Sequence, residues 1–400
     1  MAHLAGRLAQ FRPSPTLAVS ALVRTLKAQG RDIIGLASGE PDFYTPEPIK
    51  DAGIAAIRNN RTRYTGVDGI PALKQAVSEK FKRDNGLDYG PAQIVVSNGT
   101  KPILHAALLA MADPGDEVIV PAPYWGSHPD IARIVGAVPV TVPCPAANGF
   151  RLQSADLAAA ITPRTRVLIL NSPNNPTGAV YGIEDLRGII AVLKAHPDIW
   201  VLTDEIYEHI RFEGRTVTSL AALDAGIAER TVTVNGFSKG YAMTGWRLGF
   251  AGGPAAMMRA IANLLGQLIG SPNEIAQEAA VVALTGDQSF LESNAASYQA
   301  RRDLAMGALQ QMPGLACHQP EGAFYLFVDC SGTIGRKLPD GKIIETDEDF
   351  VRGAIEHAGV AVTPGGAFGM SPYFRLSFSV DIADLQRAME RLRRYCNQLT

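Results

Sequence analysis

Short apolar runs alternate with longer amphipathic stretches through the middle of the chain, with Gly and Pro at the joins. That rhythm belongs to βαβ units and predicts an α/β fold, a mostly parallel central sheet flanked by helices. The predicted strands are Ile94 to Ser97, Glu117 to Val120, Val167 to Leu170, Ile199 to Leu202, Thr231 to Val234 and Leu248 to Ala251. A helical period shows in Leu17 to Ala28, where Val19, Leu22, Val23 and Leu26 share one face and Gly30 supplies the stop. It shows again in Ile275 to Leu284 before Gly286. After about Ser297 the pattern changes. Ala323 to Val328 and Tyr373 to Val380 read as strands, Ile382 to Tyr395 as a closing helix and Gly332 to Asp349 as an exposed excursion, which together predict a smaller α+β domain. In Tyr373 to Val380, Phe374, Leu376, Phe378 and Val380 fall on one face and Arg375, Ser377 and Ser379 on the other. By strand alternation Arg375 is expected to point away from the core.

Polar segments follow several of these strands. Val167 to Leu170 runs into Asn171-Ser172-Pro173-Asn174-Asn175-Pro176-Thr177-Gly178, Ile199 to Leu202 into Thr203-Asp204-Glu205-Ile206-Tyr207, and Thr231 to Val234 into Asn235-Gly236-Phe237-Ser238-Lys239-Gly240. Ligands of open parallel sheets bind at the carboxyl ends of strands, so the site is expected where these segments meet. Ile94 to Ser97 meets Asn98-Gly99-Thr100-Lys101 and then an apolar helix. A small-residue turn at a helix start offers free N–H groups and the positive end of the dipole, which suits a phosphate. Lys101 opposes that dipole and is better tolerated with an anion nearby.

Composition narrows the choices. At about 150 residues per domain, 400 residues make a large single domain or a two-domain enzyme subunit. Hydrophobic residues at 46% and charged residues at 19% describe an ordered globule. The 37 basic and 39 acidic side chains nearly cancel, which argues against nucleic acid or an anionic membrane as partner. The amino-terminal residues lack the apolar core of a secretion signal and no later stretch is long and apolar enough to span a bilayer, which predicts a cytoplasmic location. Cys144, Cys317, Cys330 and Cys396 are scattered, with no metal-ligand spacing, so neither disulfides nor a metal are expected.

A lysine, a carboxylate, a tyrosine and a phosphate cradle on adjacent strand ends together meet the needs of pyridoxal phosphate. Lys239 could form a Schiff base with its aldehyde. Asp204 could keep the ring nitrogen protonated and the ring an electron sink. Tyr207 and Asn175 could hydrogen-bond the ring oxygen.

Asn174-Asn175-Pro176-Thr177-Gly178, Asp204-Glu205-Ile206-Tyr207, Ser238-Lys239, Gly245-Trp246-Arg247-Leu248-Gly249 and Gly39-Glu40-Pro41-Asp42-Phe43 resemble the class I and II aminotransferases of fold type I. The resemblance covers essentially the whole chain and is greatest to bacterial aspartate aminotransferases, some of which also use prephenate. It implies a large cofactor domain over residues 46–296 and a small domain built from residues 1–45 and 297–400. It makes Lys239 the Schiff-base lysine and proton shuttle, Asp204 the pyridinium partner, Tyr207 and Asn175 the ring-oxygen partners, and Trp125 the aromatic stacked on the ring. Gly99, Thr100, Lys101, Ser238 and Arg247 match the phosphate end, with Tyr64 reaching in from the second subunit of a homodimer. Arg375 matches the grip on the substrate α-carboxylate, with backbone from Gly39; a fork-shaped guanidinium suits that contact. Lys101 matches the contact to a side-chain carboxylate. Arg12 stands where a basic residue accompanies prephenate use.

The implied reaction is ping-pong transfer of an α-amino group, with aspartate the favoured donor, to a 2-oxo acid such as 2-oxoglutarate. Leu268-Ile269-Gly270-Ser271 departs from the pattern, since relatives usually carry Thr or Ser where Ile269 and Gly270 stand. That change adds apolar surface and opens an aromatic, aliphatic or prephenate-type alternative. Rival chemistries are a β-lyase on the same fold, or a serine hydrolase, because Gly236-Phe237-Ser238-Lys239-Gly240 also fits a nucleophile elbow with His318 or His357 as base.

Overall fold

The computed structural model describes residues 4–6, 8 and 15–400, so Arg12 lies outside the described residues. A seven-stranded sheet runs in the order Ile94–Ser97, Gly249–Gly252, Thr231–Gly236, Trp200–Asp204, Thr165–Asn171, Glu117–Ala122, Val138–Pro143. All neighbours are parallel except Gly249–Gly252, which is antiparallel to both of its partners. Side chains two apart share a face, and both faces are covered. Val167 and Ile169 pack with helices Thr100–Met111 and Ala255–Leu268. Leu168 and Leu170 pack on the other side with helices Ser154–Ala160 and Ile183–Lys194. This double burial is why these strands read as continuous apolar runs.

One strand of this sheet escaped the sequence pattern. Val138–Pro143 carries Pro139 and Pro143 and forms the edge beside Glu117–Ala122, where a missing ladder donor is tolerated. Ile94–Ser97 ends as expected, and the other strands extend by one or two residues past their apolar runs because the polar strand ends still pair: Asn171 sits opposite Asp204 in the parallel register.

A second, four-stranded antiparallel sheet comprises Thr363–Pro364, Tyr373–Ser377, Tyr325–Asp329 and Ala316–Cys317. Tyr298, Ala305 and Leu309 of helix Ser289–Leu309 and Leu385, Ala388 and Leu392 of helix Ile382–Gln398 share its core. Ile34–Gly35 pairs in parallel with Val360–Ala361 and joins early chain to late. The excursion Gly332 to Asp349 is mostly exposed, pinned by buried Leu338 and Ile344.

The alternation around Arg375 needs a correction. Phe374, Leu376 and Phe378 are buried as expected, but so are Arg375, Ser377 and Ser379, and Arg375 is only 2% exposed. The face opposite the core is itself covered, since Ser377 N–H donates to Leu36 C=O at 2.8 Å and Arg375 Nη2 to Ala37 C=O at 2.8 Å.

Candidate active site

The two sheets meet around a cavity of about 740 Å³ whose walls include Gly39, Thr100, Lys101, Trp125, Asn175, Asp204, Tyr207, Ser238, Lys239, Arg247 and Arg375. The expected site residues are thus brought together from chain segments hundreds of residues apart.

At one end, helix Thr100–Met111 begins at Gly99, whose φ of +95° favours glycine. A Cβ there would lie 2.5 Å from Arg247 Nη2, and one at Gly249 would lie 2.7 Å from Thr100 N. The glycines let the helix start, the Gly249–Gly252 strand and the Arg247 guanidinium come together. Thr100, Ser238 and Arg247 line the cavity, and Arg247 meets the helix start at Gly99, so free backbone N–H groups and a cation stand side by side where an anion could bind. Lys101 Nζ lies 4.8 Å from the centre of the Trp125 ring, and burial, with Arg247 nearby, lowers its pKa.

Lys239 follows the Thr231–Gly236 strand, and its Nζ donates to Gly39 C=O at 2.5 Å. Burial draws its pKa down to about 8; Arg375 and Arg247 push the same way, while Glu40 and Asp204 oppose. Asp204 ends its strand buried, with Oδ2 3.3 Å from His128 Nε2 and Oδ1 accepting from Ile206 N–H at 3.4 Å. Asn171 Nδ2 donates to the Asp204 carbonyl at 2.9 Å, and Asn171 Oδ1 accepts from Asn175 N–H at 2.8 Å. One side chain therefore ties two strand-end segments together. The Tyr207 and Tyr325 hydroxyls are 2.8 Å apart, and burial raises the pKa of both.

Arg375 donates through Nη1 to Asn175 Oδ1 at 2.9 Å, and its guanidinium carbon sits 4.4 Å from the Tyr325 ring centre and 4.8 Å from that of Phe368. Its Nε is buried without a hydrogen-bond partner. Among the described residues no carboxylate pairs with it, and burial lowers its pKa. A buried cation with spare donors is built to receive an anion.

Tyr64 is elsewhere: it is 98% exposed and does not line the cavity of its own chain. Ile269 is exposed at the end of helix Ala255–Leu268, and Gly270 has a φ of +76°. His318 packs against Phe150 and His357 is exposed, and neither lines the cavity beside Ser238, so neither histidine offered for the nucleophile-elbow reading is placed to act as its base. Asp84, Glu208 and His209 come within ligand distance of one another, but the Lys80 ammonium already contacts Glu208. Sequence reasoning missed His128, Asn171, Tyr325 and Phe368. Asn171 heads an expected strand-end segment and was within reach; Tyr325 and Phe368 lie in stretches with no polar signal.

A mixed, mostly parallel sheet whose strand ends present a lysine, an aspartate and a tyrosine beside a helix-start anion cradle is the arrangement of fold type I enzymes. The model of the aminotransferase class I and II family matches residues 31–392, and the chain belongs to that family. It is 48% identical over 396 residues to an aspartate aminotransferase of Rhizobium meliloti, covering 99% of this chain and 97% of that one. It is also 48% identical over 400 residues, 100% of each chain, to an aspartate/prephenate aminotransferase of Cereibacter sphaeroides. The solved structure of the Rhizobium meliloti aspartate aminotransferase superposes with a TM-score of 0.97 at 47% identity over 100% of both chains. That of the Thermus thermophilus aspartate aminotransferase with maleate gives 0.91 at 40% identity, over 99% of this chain and 100% of the other. The protein is an aminotransferase of fold type I. No described helix is long and apolar enough to cross a membrane.

Proposed function

We propose that this aminotransferase binds pyridoxal 5′-phosphate at Lys239 and moves the α-amino group of L-aspartate to a 2-oxo acid, such as 2-oxoglutarate, in a ping-pong cycle. The observation that carries the reading is the convergence of Lys239, Asp204, Tyr207 and the Gly99–Thr100 helix start on one cavity. The residues fit the group. A Cβ at Gly99 or Gly249 would close the cradle, and the donor set matches a phosphate at one end and a cationic ring nitrogen against Asp204 at the other. When bound, pyridoxal phosphate supplies an aldehyde that condenses with amines and a protonated ring that draws electron density from the substrate Cα.

The chain's own groups do the rest. Thr100, Ser238 and Arg247 hold the phosphate end, with Lys101 beside them. Asp204, oriented by His128 and Asn171, holds a proton on the ring nitrogen. Tyr207 and Asn175 bond the ring oxygen and Trp125 covers a ring face. Arg375 grips the substrate α-carboxylate with the N–H groups that protein atoms leave free, beside Gly39. Lys239 Nζ, its pKa drawn to about 8, can lose its proton near neutral pH and move the Cα proton.

Exposed Tyr44, Ile54, Ile57, Tyr64, Val67, Leu268 and Ile269 support a homodimer in which Tyr64 serves the neighbouring site. The proposal also divides the chain into residues 46–296 and residues 1–45 plus 297–400, although helix Ser289–Leu309 runs unbroken across that boundary. It takes small-molecule amino and oxo acids as the only partners besides a second copy, and a cytoplasmic location.

Aspartate rests on the names of the relatives and on Lys101 at the cleft. The second reading, an aromatic, aliphatic or prephenate-type specificity, rests on Ile269 and Gly270 and on relatives named for prephenate. Initial rates with L-aspartate, L-phenylalanine and L-leucine against 2-oxoglutarate, oxaloacetate and prephenate separate the two. Aspartate with 2-oxoglutarate should have the highest kcat/KM, and maleate should inhibit; a preference for an apolar donor with no maleate inhibition contradicts the dicarboxylate assignment.

A further inference from the structure

Behind the cleft wall lies a buried ion network that the reaction does not touch. After Asp204 the chain makes two successive turns, with Glu208 N–H donating to Glu205 C=O at 3.0 Å and Ile210 N–H to Tyr207 C=O at 2.8 Å. Asp204 and Tyr207 line the cleft, while their next neighbours Glu205 and Glu208 turn the other way and are 3% and 6% exposed. Lys80, with no exposure at all, contacts Glu208 Oε1 and donates to Asn85 Oδ1 at 2.6 Å. Asn85 Nδ2 donates to Glu208 Oε2 at 2.7 Å and to Ser219 Oγ at 3.0 Å, with Glu205 Oε2 at 3.3 Å. Ser219 Oγ donates in turn to Glu205 Oε2 at 2.6 Å. His209 Nε2 stands 3.2 Å from Glu208 Oε1 and Asp84 Oδ2 3.8 Å from Lys80 Nζ.

The backbone is shaped for this arrangement. Lys80 ends helix Pro71–Lys80, and Phe81–Asn85 is a single π-helical turn. In an α-helix, residues five apart diverge by about 140° around the axis, whereas a turn with i→i+5 bonds sets them on one face. That turn lets Lys80 and Asn85 grip Glu208 together, while Asn85 also reaches Glu205. Burying an ion pair is weak evidence for stability, since apolar residues of similar volume often hold a core as well, which directs attention to the conformation that the network fixes. Burial pushes Glu205 up to about 7; Glu208, despite its burial, is held below the ordinary carboxylate range by Lys80 and His209.

We propose that Glu205 and Glu208, clamped by Lys80, Asn85 and Ser219, are positioning residues that fix the orientation of Asp204 and Tyr207 toward the cofactor ring. This rests on the reading above that Asp204 and Tyr207 meet that ring. The variants are Lys80→Met/Glu208→Gln, which removes both charges of the pair, and Ser219→Ala, which removes one hydroxyl and leaves the fold easiest to keep. Asp204→Asn serves as the direct perturbation of the ring contact. For each, the far-ultraviolet circular dichroism, the pH midpoint of the visible band of pyridoxal phosphate bound at Lys239, and the cofactor dissociation constant are measured.

Folded Lys80→Met/Glu208→Gln should shift the spectral midpoint by at least half a pH unit and weaken cofactor binding about tenfold. Its kcat should fall more than its KM rises, and Ser219→Ala should move in the same direction by less. Glu208→Asp with Lys80 retained, which keeps both charges of the pair, should shift the midpoint by less than the double variant. Unchanged spectral midpoint and cofactor affinity in the folded variants, while Asp204→Asn alters both, overturn the positioning role and leave the cofactor reading standing. A wild-type protein with no visible band overturns that reading and this inference with it.

Discussion

Replacing Arg375 with Ala removes a deeply buried cation of the cleft with which no carboxylate pairs among the described residues. Its Nη1 and Nη2 each donate to a protein oxygen, Asn175 Oδ1 at 2.9 Å and Ala37 C=O at 2.8 Å, and Nε has no partner. A guanidinium has five N–H groups, so enough remain for two parallel bonds to a substrate carboxylate. Each such charge-assisted bond contributes about 1.5–3 kcal/mol. Losing two costs about 3–6 kcal/mol in the transition state, a fall in kcat/KM of roughly 10²–10⁴. The fold suffers separately, because Asn175 Oδ1 and Ala37 C=O lose their donors at about 1–3 kcal/mol each, offset in part by removal of a buried charge. The assay compares L-aspartate with its α-amide, which lacks the carboxylate. The variant should lose its full factor on aspartate and almost nothing on the amide, with Arg375→Lys intermediate because an ammonium keeps the charge without the fork. Equal losses on both substrates in a folded variant, or no loss on aspartate, would refute the carboxylate grip.

Gly99→Ala places a Cβ 2.5 Å from Arg247 Nη2 in a φ +95° conformation, so the anion cradle must open. Cofactor affinity should fall by at least tenfold, and the cofactor-free protein should lose some stability as well because alanine is strained at that φ; retained affinity in fluorescence titration contradicts the cradle. Lys101→Ala should raise KM for aspartate several-fold and leave monocarboxylic donors unaffected; a uniform change across donors removes Lys101 from side-chain recognition. Glu205, held up to about 7 by burial, keeps its proton in the fold where the unfolded carboxyl, near 4.5, has lost it. The native state binds more protons in that window, so this group's contribution is fully present below pH 4.5 and declines as pH rises to about 7, by at most about 1.4 kcal/mol per pH unit. Urea unfolding from pH 5 to 8 should show the wild type losing stability relative to Glu205→Gln as pH rises, and a constant difference contradicts the raised value.

Much of the site was legible because its chemistry sits in contiguous segments at strand ends. Lys239, Asp204, Tyr207 and Asn175 each follow an apolar run short enough to be a buried strand, and the sheet rule brings such ends together. The helix start at Gly99–Thr100 was visible for the same reason. What lay beyond reach depends on contacts between distant segments. His128 meets Asp204 from 76 positions away, and Tyr325, inside the apolar run Phe324-Tyr325-Leu326-Phe327, reads as core until Tyr207 and Arg375 are seen against it. Alternation divided the faces around Arg375 correctly, but it carries no information on what covers a face; the covering groups, Ala37 and Asn175, come from 338 and 200 positions away. Pro139 and Pro143 hid the edge strand. Lys80 reaches Glu208, and Asn85 reaches both Glu208 and Glu205, across a π-helical turn that no α-helical period reveals.

The central claim is a covalent bond between Lys239 Nζ and the aldehyde of pyridoxal phosphate. Borohydride reduction of the purified protein, followed by peptide mass mapping, tests it directly. The account predicts a visible absorption band that disappears on reduction, with the phosphopyridoxyl mass fixed on the Lys239 peptide and absent from Lys239→Ala. A protein that remains colourless after incubation with the cofactor, or a label fixed on another lysine, would contradict it.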